Sequence, residues 1–252
     1  MRVKINSIAY HLPSNEEGIE ILTNENPEWD IDKITEKTGI FKRFISSPNE
    51  TATDLAYIAA SKLIKNLDTP SNIDLLILVT QSPDYTLPTS ACILQDRLNL
   101  PKNCMAFDVN LGCSGFVYAL SIAGSLIDSG VVKKGLIICS DTYTKYIKKN
   151  DRTCRPIFSD GAAAILLEAS NNNDIGPFDF GTDGSGYEHL IVRESGLRRD
   201  IDLKNNSIMN LEMAGSEIFL FTLREVPKSI ERLMLRSGIT LDDIDLVIFH
   251  QA

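Results

Sequence analysis

The chain has 252 residues, of which 43% are hydrophobic and 23% charged, a composition typical of globular proteins. Its formal net charge of −9 argues against nucleic-acid binding and means that an anionic substrate would need a local basic patch. No apolar run approaches membrane-spanning length and the first residues show no signal-peptide pattern, so no membrane association is expected. The five cysteines form no CxxC pair and the three histidines are scattered, which argues against a disulfide framework or a metal site and favours the reducing cytoplasm.

Strand and helix patterns alternate along the chain. The run Ile73–Thr80 is continuously apolar, as expected of a strand buried on both faces, while Leu55, Ile58, Ala59 and Leu63 form the apolar face of a helix. In chain order the pattern predicts a strand at 3–10, a helix capped by Thr51 or Thr53, a strand at 73–80, a helix at 89–98, a strand at 104–109, a helix from 114 to before 130, strands at 135–140, 162–167 and 190–193, a helix at about 213–236, and a strand at 244–250. This alternation predicts an α/β fold with a mostly parallel core sheet.

One predicted strand joins its helix through Gly112-Cys113-Ser114-Gly115. Small residues on both sides of Cys113 let the backbone turn sharply and let another molecule approach the sulfur. At a helix start, the positive end of the helix dipole and free N–H groups would favour the thiolate and could hold a developing oxyanion. Most cysteines are buried structural residues, but this context predicts that Cys113 is a nucleophile.

Two similar strands indicate an internal repeat. The segment 73–81 (IDLLILVTQ) resembles 244–252 (IDLVIFHQA), and an amphipathic helix precedes each. We therefore expect a duplicated fold, in which residues 1–170 form a first repeat that carries the nucleophile and residues 171–252 begin a second one. The first copy continues well beyond its strand whereas the second stops at Ala252, so the second repeat is expected to be incomplete in this chain.

His250 lies at the C-terminal end of the second strand of this repeat. Ligands of α/β sheets gather beyond the carboxyl ends of the strands, and Cys113 also follows such an end. A two-repeat fold could therefore bring Cys113 and His250 together. A lone histidine is more often a structural residue, yet beside a nucleophilic cysteine His250 is predicted to be catalytic. His11 and His189 have no such placement and are interpreted as structural.

Four segments follow one another in a characteristic order: 108–120 (DVNLGCSGFVYAL), 151–164 (DRTCRPIFSDGAAA), 210–219 (NLEMAGSEIF) and 250–252 (HQA). Together they resemble β-ketoacyl-acyl-carrier-protein synthase III of the thiolase superfamily. Residues 38–40, Arg43 and residues 48–51 also match, so the resemblance covers essentially the whole chain. It implies the thiolase-like fold, a duplicated α/β unit in five αβαβα layers, and a homodimer.

The resemblance implies a reaction in two steps. Cys113 falls on the family's nucleophile, which takes an acyl group from acyl-CoA as a thioester. His250 falls on the family's active-site histidine, which with an asparagine stabilises the enolate formed when malonyl-carrier protein loses carbon dioxide. That carbanion attacks the acyl-Cys113 carbonyl and gives a β-ketoacyl product. Acyl-CoA is then a substrate, no cofactor is implied, and acyl carrier protein is an expected partner.

The resemblance also implies a surface that binds coenzyme A. Arg152 aligns with an arginine that packs on the adenine, and Phe219 aligns with a phenylalanine of the pantetheine tunnel. Gly215 and Ala252 would leave room for the pantetheine arm. The nearby Arg155, with lysines 145, 148 and 149, could assist with the phosphates.

The chain departs from the family pattern at several positions. Trp29 is a less favoured candidate for stacking on adenine, because it lies nine residues before Thr38, further than the family's spacing. Leu87 replaces a phenylalanine that limits acyl size from across the dimer interface, which predicts acceptance of acyl groups longer than acetyl. Leu220 stands where the family often has a carrier-docking lysine. The partner asparagine of His250 and the glycine-rich turn of the acyl pocket would lie beyond residue 252.

Other functions remain as alternatives. Hydroxymethylglutaryl-CoA synthase shares the fold, but it needs a glutamate near Gln81, whose amide cannot supply a proton. A thiolase-superfamily acyltransferase could pass the acyl group from Cys113 to a non-malonyl acceptor. A non-catalytic partner of the same fold could have kept both Cys113 and His250. Dinucleotide binding is not supported, because Gly181–Gly186 does not follow the required strand–turn–helix order.

Overall fold

The computed structural model describes residues 1–65, 72–193, 195–197 and 209–250. The chain divides into two compact units, Met1–Ile175 and Gly176–Ala252. The division into thiolase-like repeats at 1–170 and 171–252 stays a prediction, because compactness alone does not establish repetition.

The helices and strands follow the predicted alternation of the two kinds of element. In the first unit they are β1 (Val3–His11), β2 (Asn15–Gly18), α1 (Ile19–Glu25), α2 (Ile31–Thr38), β3 (Lys42–Ile45), α3 (Ala52–Ile64), β4 (Leu75–Val79), α4 (Ser90–Arg97), β5 (Met105–Val109), α5 (Gly115–Asp128), β6 (Lys134–Asp141), the 3₁₀ helix Tyr143–Tyr146 and β7 (Gly161–Ala169). In the second unit they are the 3₁₀ helix Gly184–His189, β8 (Leu190–Val192), β9 (Leu211–Met213), α6 (Gly215–Ser237) and the 3₁₀ helix Leu241–Asp243.

Five strands of the first unit form one sheet in the order β1-β7-β6-β4-β5. β4 runs parallel to both β5 and β6, whereas β7 is antiparallel to both β6 and β1. The expectation of a mostly parallel sheet is therefore wrong for half of the pairings. Parallel neighbours need a crossover, usually a helix, and the connection from β6 to β7 carries only the 3₁₀ helix Tyr143–Tyr146. β7 consequently returns antiparallel.

Helices cover both faces of this sheet. All residues of β4 are buried, which explains its continuous apolar run. α3 and α4 contribute Leu55 and Leu94 to the core on one face. α5 covers the other face, where Ala123 and Ile127 lie against the position of Gly135 in β6. The sheet is thus the middle layer of a helix–sheet–helix sandwich.

The start of α5 lies unusually close to β4. A Cβ atom placed on Gly115 would overlap the Cγ1 of Val79 and lie 3.2 Å from the Cβ of Leu111. Gly124, in the same helix, faces only the flexible end of Met1, whose Cε would lie 2.6 Å from an added Cβ. Glycine is therefore needed at the first residue of α5 to let the helix begin against the sheet.

A largely buried group of charges ties the two-stranded antiparallel sheet β2–β3 to the segment that precedes β7. Arg43, whose side chain is 3% exposed, pairs with Glu17 at 2.8 Å. Arg155 pairs with the same Glu17 carboxylate at 2.8 Å and also with Glu25. Arg43 additionally donates to the carbonyl of Phe158 at 3.0 Å. The Glu17 carboxylate is thus shared by two buried guanidinium groups, and Glu25 is a second partner of Arg155.

The second unit leaves most of its apolar side chains exposed. β8 and β9 form an antiparallel pair, and α6 buries none of its residues. Residues 244–250 form no strand, and Leu246, Val247, Ile248 and Phe249 are exposed. The predicted strand is wrong there because no described segment of the unit pairs with its backbone. None of the described helices is long and apolar enough to cross a membrane.

Replacing Gly115 by alanine should destabilise the protein by about 1–3 kcal/mol, because the new methyl group would push α5 away from Val79. Gly124→Ala in the same helix is the matched control. It should be neutral or stabilise by up to about 1 kcal/mol, since alanine is the better helix former. Urea unfolding measures both changes, and equal effects of the two substitutions would contradict the packing argument.

Replacing Glu17 by glutamine should cost about 3–5 kcal/mol of unfolding free energy, because it removes the carboxylate that pairs with the buried Arg43 and leaves Arg155 with Glu25 as its ion-pair partner. Glu16→Gln on the neighbouring residue is the control. Its pair with Lys42 at 3.1 Å is exposed, so the loss should stay under about 1 kcal/mol. A Glu17→Gln protein as stable as the control would show that the buried charges contribute no net stability.

Candidate active site

Cys113 lies in the turn between the end of β5 at Val109 and the start of α5 at Gly115. The N–H of Gly115 donates to the carbonyl of Gly112 at 2.9 Å and closes the turn. Ser114 is the N-cap residue of α5 and has helical backbone angles. Cys113 is solvent-exposed. The local strand–turn–helix arrangement is therefore the one that the sequence pattern predicts.

The side chains of Gln81 and Tyr143 lie close to the backbone of Gly112, the residue before Cys113. A Cβ atom on Gly112 would lie 2.5 Å from the Oε1 of Gln81 and 3.0 Å from the hydroxyl oxygen of Tyr143. The Tyr143 hydroxyl donates to that same Gln81 oxygen. Gly112 thus allows the close approach of a hydrogen-bonded Gln81–Tyr143 pair to the nucleophile turn.

The pKa of the Cys113 thiol is raised above its ordinary value. Partial desolvation by the surrounding protein is the largest cause, and the nearby Asp141 carboxylate raises it further, while the backbone N–H of Cys113 acts in the opposite direction. The expectation that the helix start favours the thiolate is therefore wrong in its net effect. The sulfur precedes the first helical residue by two positions, and desolvation outweighs the backbone N–H contribution.

Asp141, at the C-terminal end of β6, is a site residue that the sequence analysis did not identify. Its Oδ1 accepts hydrogen bonds from the hydroxyl of Thr80 at 3.1 Å, the N–H of Gln81 at 2.7 Å, and the N–H and hydroxyl of Ser82 at 3.0 and 2.9 Å. Burial outweighs these hydrogen bonds and raises the pKa of Asp141 to about 6. In the sequence, the only sign that Asp141 binds the loop after β4 was its position directly after a predicted strand.

An aromatic cluster borders the Gln81–Tyr143 pair. The ring of Tyr143 stacks on Phe158 with centroids 5.4 Å apart and meets Tyr146 edge-on at 6.3 Å. The Tyr146 hydroxyl donates weakly to the carbonyl of Gln81 at 3.4 Å. These contacts fix the 3₁₀ helix after β6 against the loop after β4.

Two predicted coenzyme A or acyl contacts lie on the surface of the first unit. Leu87 is 82% exposed. Arg152 is also exposed, in a turn where Asp151 accepts from the N–H groups of Thr153 and Cys154 at 2.8 and 3.0 Å. Both side chains are accessible to a ligand or a partner.

Two other predicted contacts serve packing instead. Trp29 is only 8% exposed and packs with Leu22 and Ile31, which leaves little of its ring for stacking on adenine. Arg155 is buried in its ion pairs with Glu17 and Glu25, so the expected contact of Arg155 with phosphate is wrong. Both residues hold the small elements that flank the main sheet.

The remaining predicted site residues belong to the second unit. Gly215 is the first residue of α6, and Phe219, on the same helix, is 61% exposed. His250 is exposed, and Ala252 lies outside the described residues. Within the described part of the chain, no group of three or more His, Cys, Asp or Glu side chains could hold a metal ion.

Comparison with known sequences identifies one family. The family model described as 3-oxoacyl-[acyl-carrier-protein (ACP)] synthase III matches residues 107–184, which include the nucleophile turn, the loop after β6 and β7. A curated relative, the β-ketoacyl-[acyl-carrier-protein] synthase III of Streptococcus pyogenes serotype M6, is 36% identical over 253 residues, which cover 99% of this chain and 76% of the relative.

Comparison with solved structures agrees. A 3-oxoacyl-(acyl-carrier-protein) synthase III has a TM-score of 0.92 at 42% identity, over 97% of this chain and 77% of its own. The 3-oxoacyl-(acyl-carrier protein) synthase from Burkholderia xenovorans LB400 has a TM-score of 0.90 at 33% identity, over 100% and 74%. The priming β-ketosynthase of the R1128 polyketide biosynthetic pathway has a TM-score of 0.86 at 26% identity, over 96% and 72%. The predicted α/β thiolase fold is confirmed, and the chain belongs to the β-ketoacyl-[acyl-carrier-protein] synthase III family.

Proposed function

We propose that the protein is an acyl-CoA-dependent condensing enzyme that loads an acyl group on Cys113 and extends it by decarboxylative condensation with malonyl-carrier protein. The observation that supports this most directly is the exposed Cys113 thiol in the turn before α5, in a chain 36% identical over nearly its whole length to a β-ketoacyl-[acyl-carrier-protein] synthase III. Acyl-CoA is a substrate in this proposal, and no cofactor takes part.

In the first step the Cys113 sulfur attacks the thioester carbonyl of acyl-CoA. A new carbon–sulfur bond forms, the bond to coenzyme A breaks, and coenzyme A leaves as the thiol after it takes up a proton. Free N–H groups at the start of α5 can stabilise the negative oxygen of the tetrahedral intermediate. Because the pKa of Cys113 is raised, most of the sulfur is protonated at neutral pH, and the proton must leave before or during attack.

In the second step malonyl-carrier protein loses carbon dioxide, and the resulting carbanion attacks the acyl-Cys113 carbonyl. The Cys113 sulfur is the leaving group, and the product is a β-ketoacyl-carrier protein. We assign to His250 the stabilisation of the enolate oxygen, since a neutral imidazole N–H can donate a hydrogen bond without releasing its proton too early. The family resemblance at 250–252 supports this assignment.

Arg152 and Phe219 are the proposed contacts of coenzyme A. Arg152 is exposed and can pack on the adenine, and the exposed ring of Phe219 can line the path of the pantetheine arm. Gly215 and Ala252 would leave space for that arm. We leave Trp29 out of this set, because only 8% of it is exposed.

Acyl carrier protein is the proposed protein partner, and a homodimer in the cytoplasm is the proposed state. The homodimer is supported by β5, which is the edge strand of the main sheet. Exposed apolar side chains lie on β5 (Met105), on α5 (Val117) and in the loop before α4 (Leu87). Exposed strand edges with apolar neighbours are typical places for pairing with a second copy.

Incubation with acyl-CoA should add one acyl group to the protein, and Cys113→Ser should abolish the adduct, because the serine hydroxyl is a far weaker nucleophile. Cys92→Ser is the control, since Cys92 is also an exposed thiol and lies outside the turn. Intact-mass spectrometry distinguishes the variants. An adduct that survives in Cys113→Ser, or no adduct on the unmodified protein, would refute the first step.

Release of carbon dioxide from malonyl-carrier protein by the acylated protein then separates the remaining functions. A condensing enzyme releases carbon dioxide and forms a β-ketoacyl product. Transfer of the acyl group to another acceptor without carbon dioxide release would identify an acyltransferase. No acylation at all would identify a non-catalytic partner of the same fold.

The acyl group accepted by Cys113 should be longer than acetyl, because leucine at position 87 leaves more room than phenylalanine would. Leu87→Phe should lower the rate with octanoyl-CoA relative to acetyl-CoA by about tenfold or more. Leu87→Met, of similar volume, should keep the ratio of the two rates. A strict preference of the unmodified enzyme for acetyl-CoA would overturn the assignment of Leu87.

A further inference from the structure

Three strand ends meet beside the nucleophile. β4 lies between β5 and β6 and runs parallel to both, so the carboxyl ends of all three strands point to one edge of the sheet. Loop 80–82 follows β4, the Cys113 turn follows β5, and Asp141 ends β6. Loop 80–82 therefore lies between Asp141 and the nucleophile turn, where the Asp141 carboxylate can bind it by hydrogen bonds.

One oxygen of Asp141 holds this loop. It accepts two backbone N–H groups, from Gln81 at 2.7 Å and Ser82 at 3.0 Å, and two hydroxyl groups, from Thr80 and Ser82 at 3.1 and 2.9 Å. The Ser82 hydroxyl also accepts from the N–H of Thr142 at 2.9 Å, which ties the loop to the residue after Asp141. Charge-assisted hydrogen bonds of this kind are the strongest that a loop can receive.

The loop in turn contacts the nucleophile turn. Gln81, whose N–H is bound by Asp141, receives the Tyr143 hydroxyl on its side-chain oxygen. Both side chains lie against Gly112, where an added Cβ would be 2.5 Å from the oxygen of Gln81 and 3.0 Å from that of Tyr143. Asp141 is thus two contacts away from the residue that precedes Cys113.

We propose that Asp141 is a positioning residue for Cys113: its carboxylate fixes loop 80–82, and through Gln81 and Tyr143 it holds the nucleophile turn in the geometry that acyl transfer needs. This inference rests on the proposed role of Cys113 as the acyl acceptor. It adds a residue that contacts neither the acyl group nor coenzyme A. The same carboxylate has a second effect, which is to add to the rise in the pKa of Cys113 that desolvation causes.

The charges at the carboxyl ends of β4, β5 and β6 agree with both effects. The titratable groups that face Asp141 are Cys113 in its turn, Cys139 on β6, and Tyr143 and Tyr146 on the 3₁₀ helix. The pKa of each of these groups is raised. Burial is the largest cause, and the charge of Asp141 is among the further ones. Since the pKa of Asp141 is about 6, its carboxylate is ionised at neutral pH, where it disfavours a second negative charge on Cys113.

The test substitutes asparagine for Asp141, which keeps the shape and one acceptor oxygen but removes the charge. The alkylation of Cys113 by iodoacetamide, followed by peptide mass spectrometry from pH 6 to 10, should become faster by about three- to tenfold below pH 8, because the thiol ionises at lower pH. Acyl transfer from acyl-CoA should fall by about tenfold or more in kcat with little change in KM, because the turn is less well held.

Asp160→Asn is the matched control. Asp160 is buried and accepts three hydrogen bonds, from Ser46 and Thr144, and the carboxylate that raises the pKa of Cys113 is that of Asp141. This variant should leave the pH profile of Cys113 alkylation unchanged. If Asp141→Asn gives the same profile as the control, or retains the full kcat, the proposal is wrong.

Tyr143→Phe tests the link without touching the charge, and it remains available if Asp141→Asn does not fold. It keeps the ring that stacks on Phe158 but removes the hydroxyl bound to Gln81. Acyl transfer should fall several-fold with an unchanged alkylation profile, and transfer at the original rate would overturn the path through Gln81. An unmodified protein that never acylates Cys113 would refute the proposed function instead, while the alkylation profiles still decide the role of Asp141.

Discussion

The parallel pairing of β4 with both of its neighbours determines where the reactive groups of the first unit lie. Parallel strands end at a common edge, so three connections that are distant in sequence collect there: the loop after β4, the turn that carries Cys113, and Asp141 at the end of β6. The antiparallel strands β7 and β1 extend the sheet beyond β6, and β7 supplies buried residues to the core. Cys113 and Asp141 thus lie at the carboxyl ends of the strands, while the buried apolar residues of β4 lie in the interior of the sheet.

The elements that local pattern determines could be predicted from the sequence. The continuous apolar run that forms β4 and the turn before α5 were identifiable because burial and backbone shape depend there on neighbouring residues. The predicted helix at 89–98 is Ser90–Arg97, and the predicted strand at 104–109 is Met105–Val109. Motif order predicted the family for a related reason, since each motif is a short local signal and the four together are specific.

The features that escaped prediction depend on contacts between distant parts of the chain. The hydrogen bond from Gln81 to Asp141 spans 60 residues, and the ion pair of Arg155 with Glu17 spans 138. No periodicity of the sequence encodes such pairings. The same reason accounts for the burial of Trp29 and for the pKa of Cys113, which follows from the desolvation and charge that the folded chain brings to it. It also explains why the strand predicted at 244–250 is absent from the described residues, because an apolar run forms a strand only when a neighbouring strand pairs with it.

The two ion pairs of Arg155 have a consequence for its neighbour Arg152. They fasten the turn at 151–155 to Glu17 of β2 and Glu25 of α1, and Asp151 fastens it internally. A ligand that binds Arg152 therefore contacts a backbone that is already ordered in the folded protein. Less of the binding free energy is then spent on ordering the site, so a single exposed guanidinium can contribute more affinity here than it would on a loose surface loop.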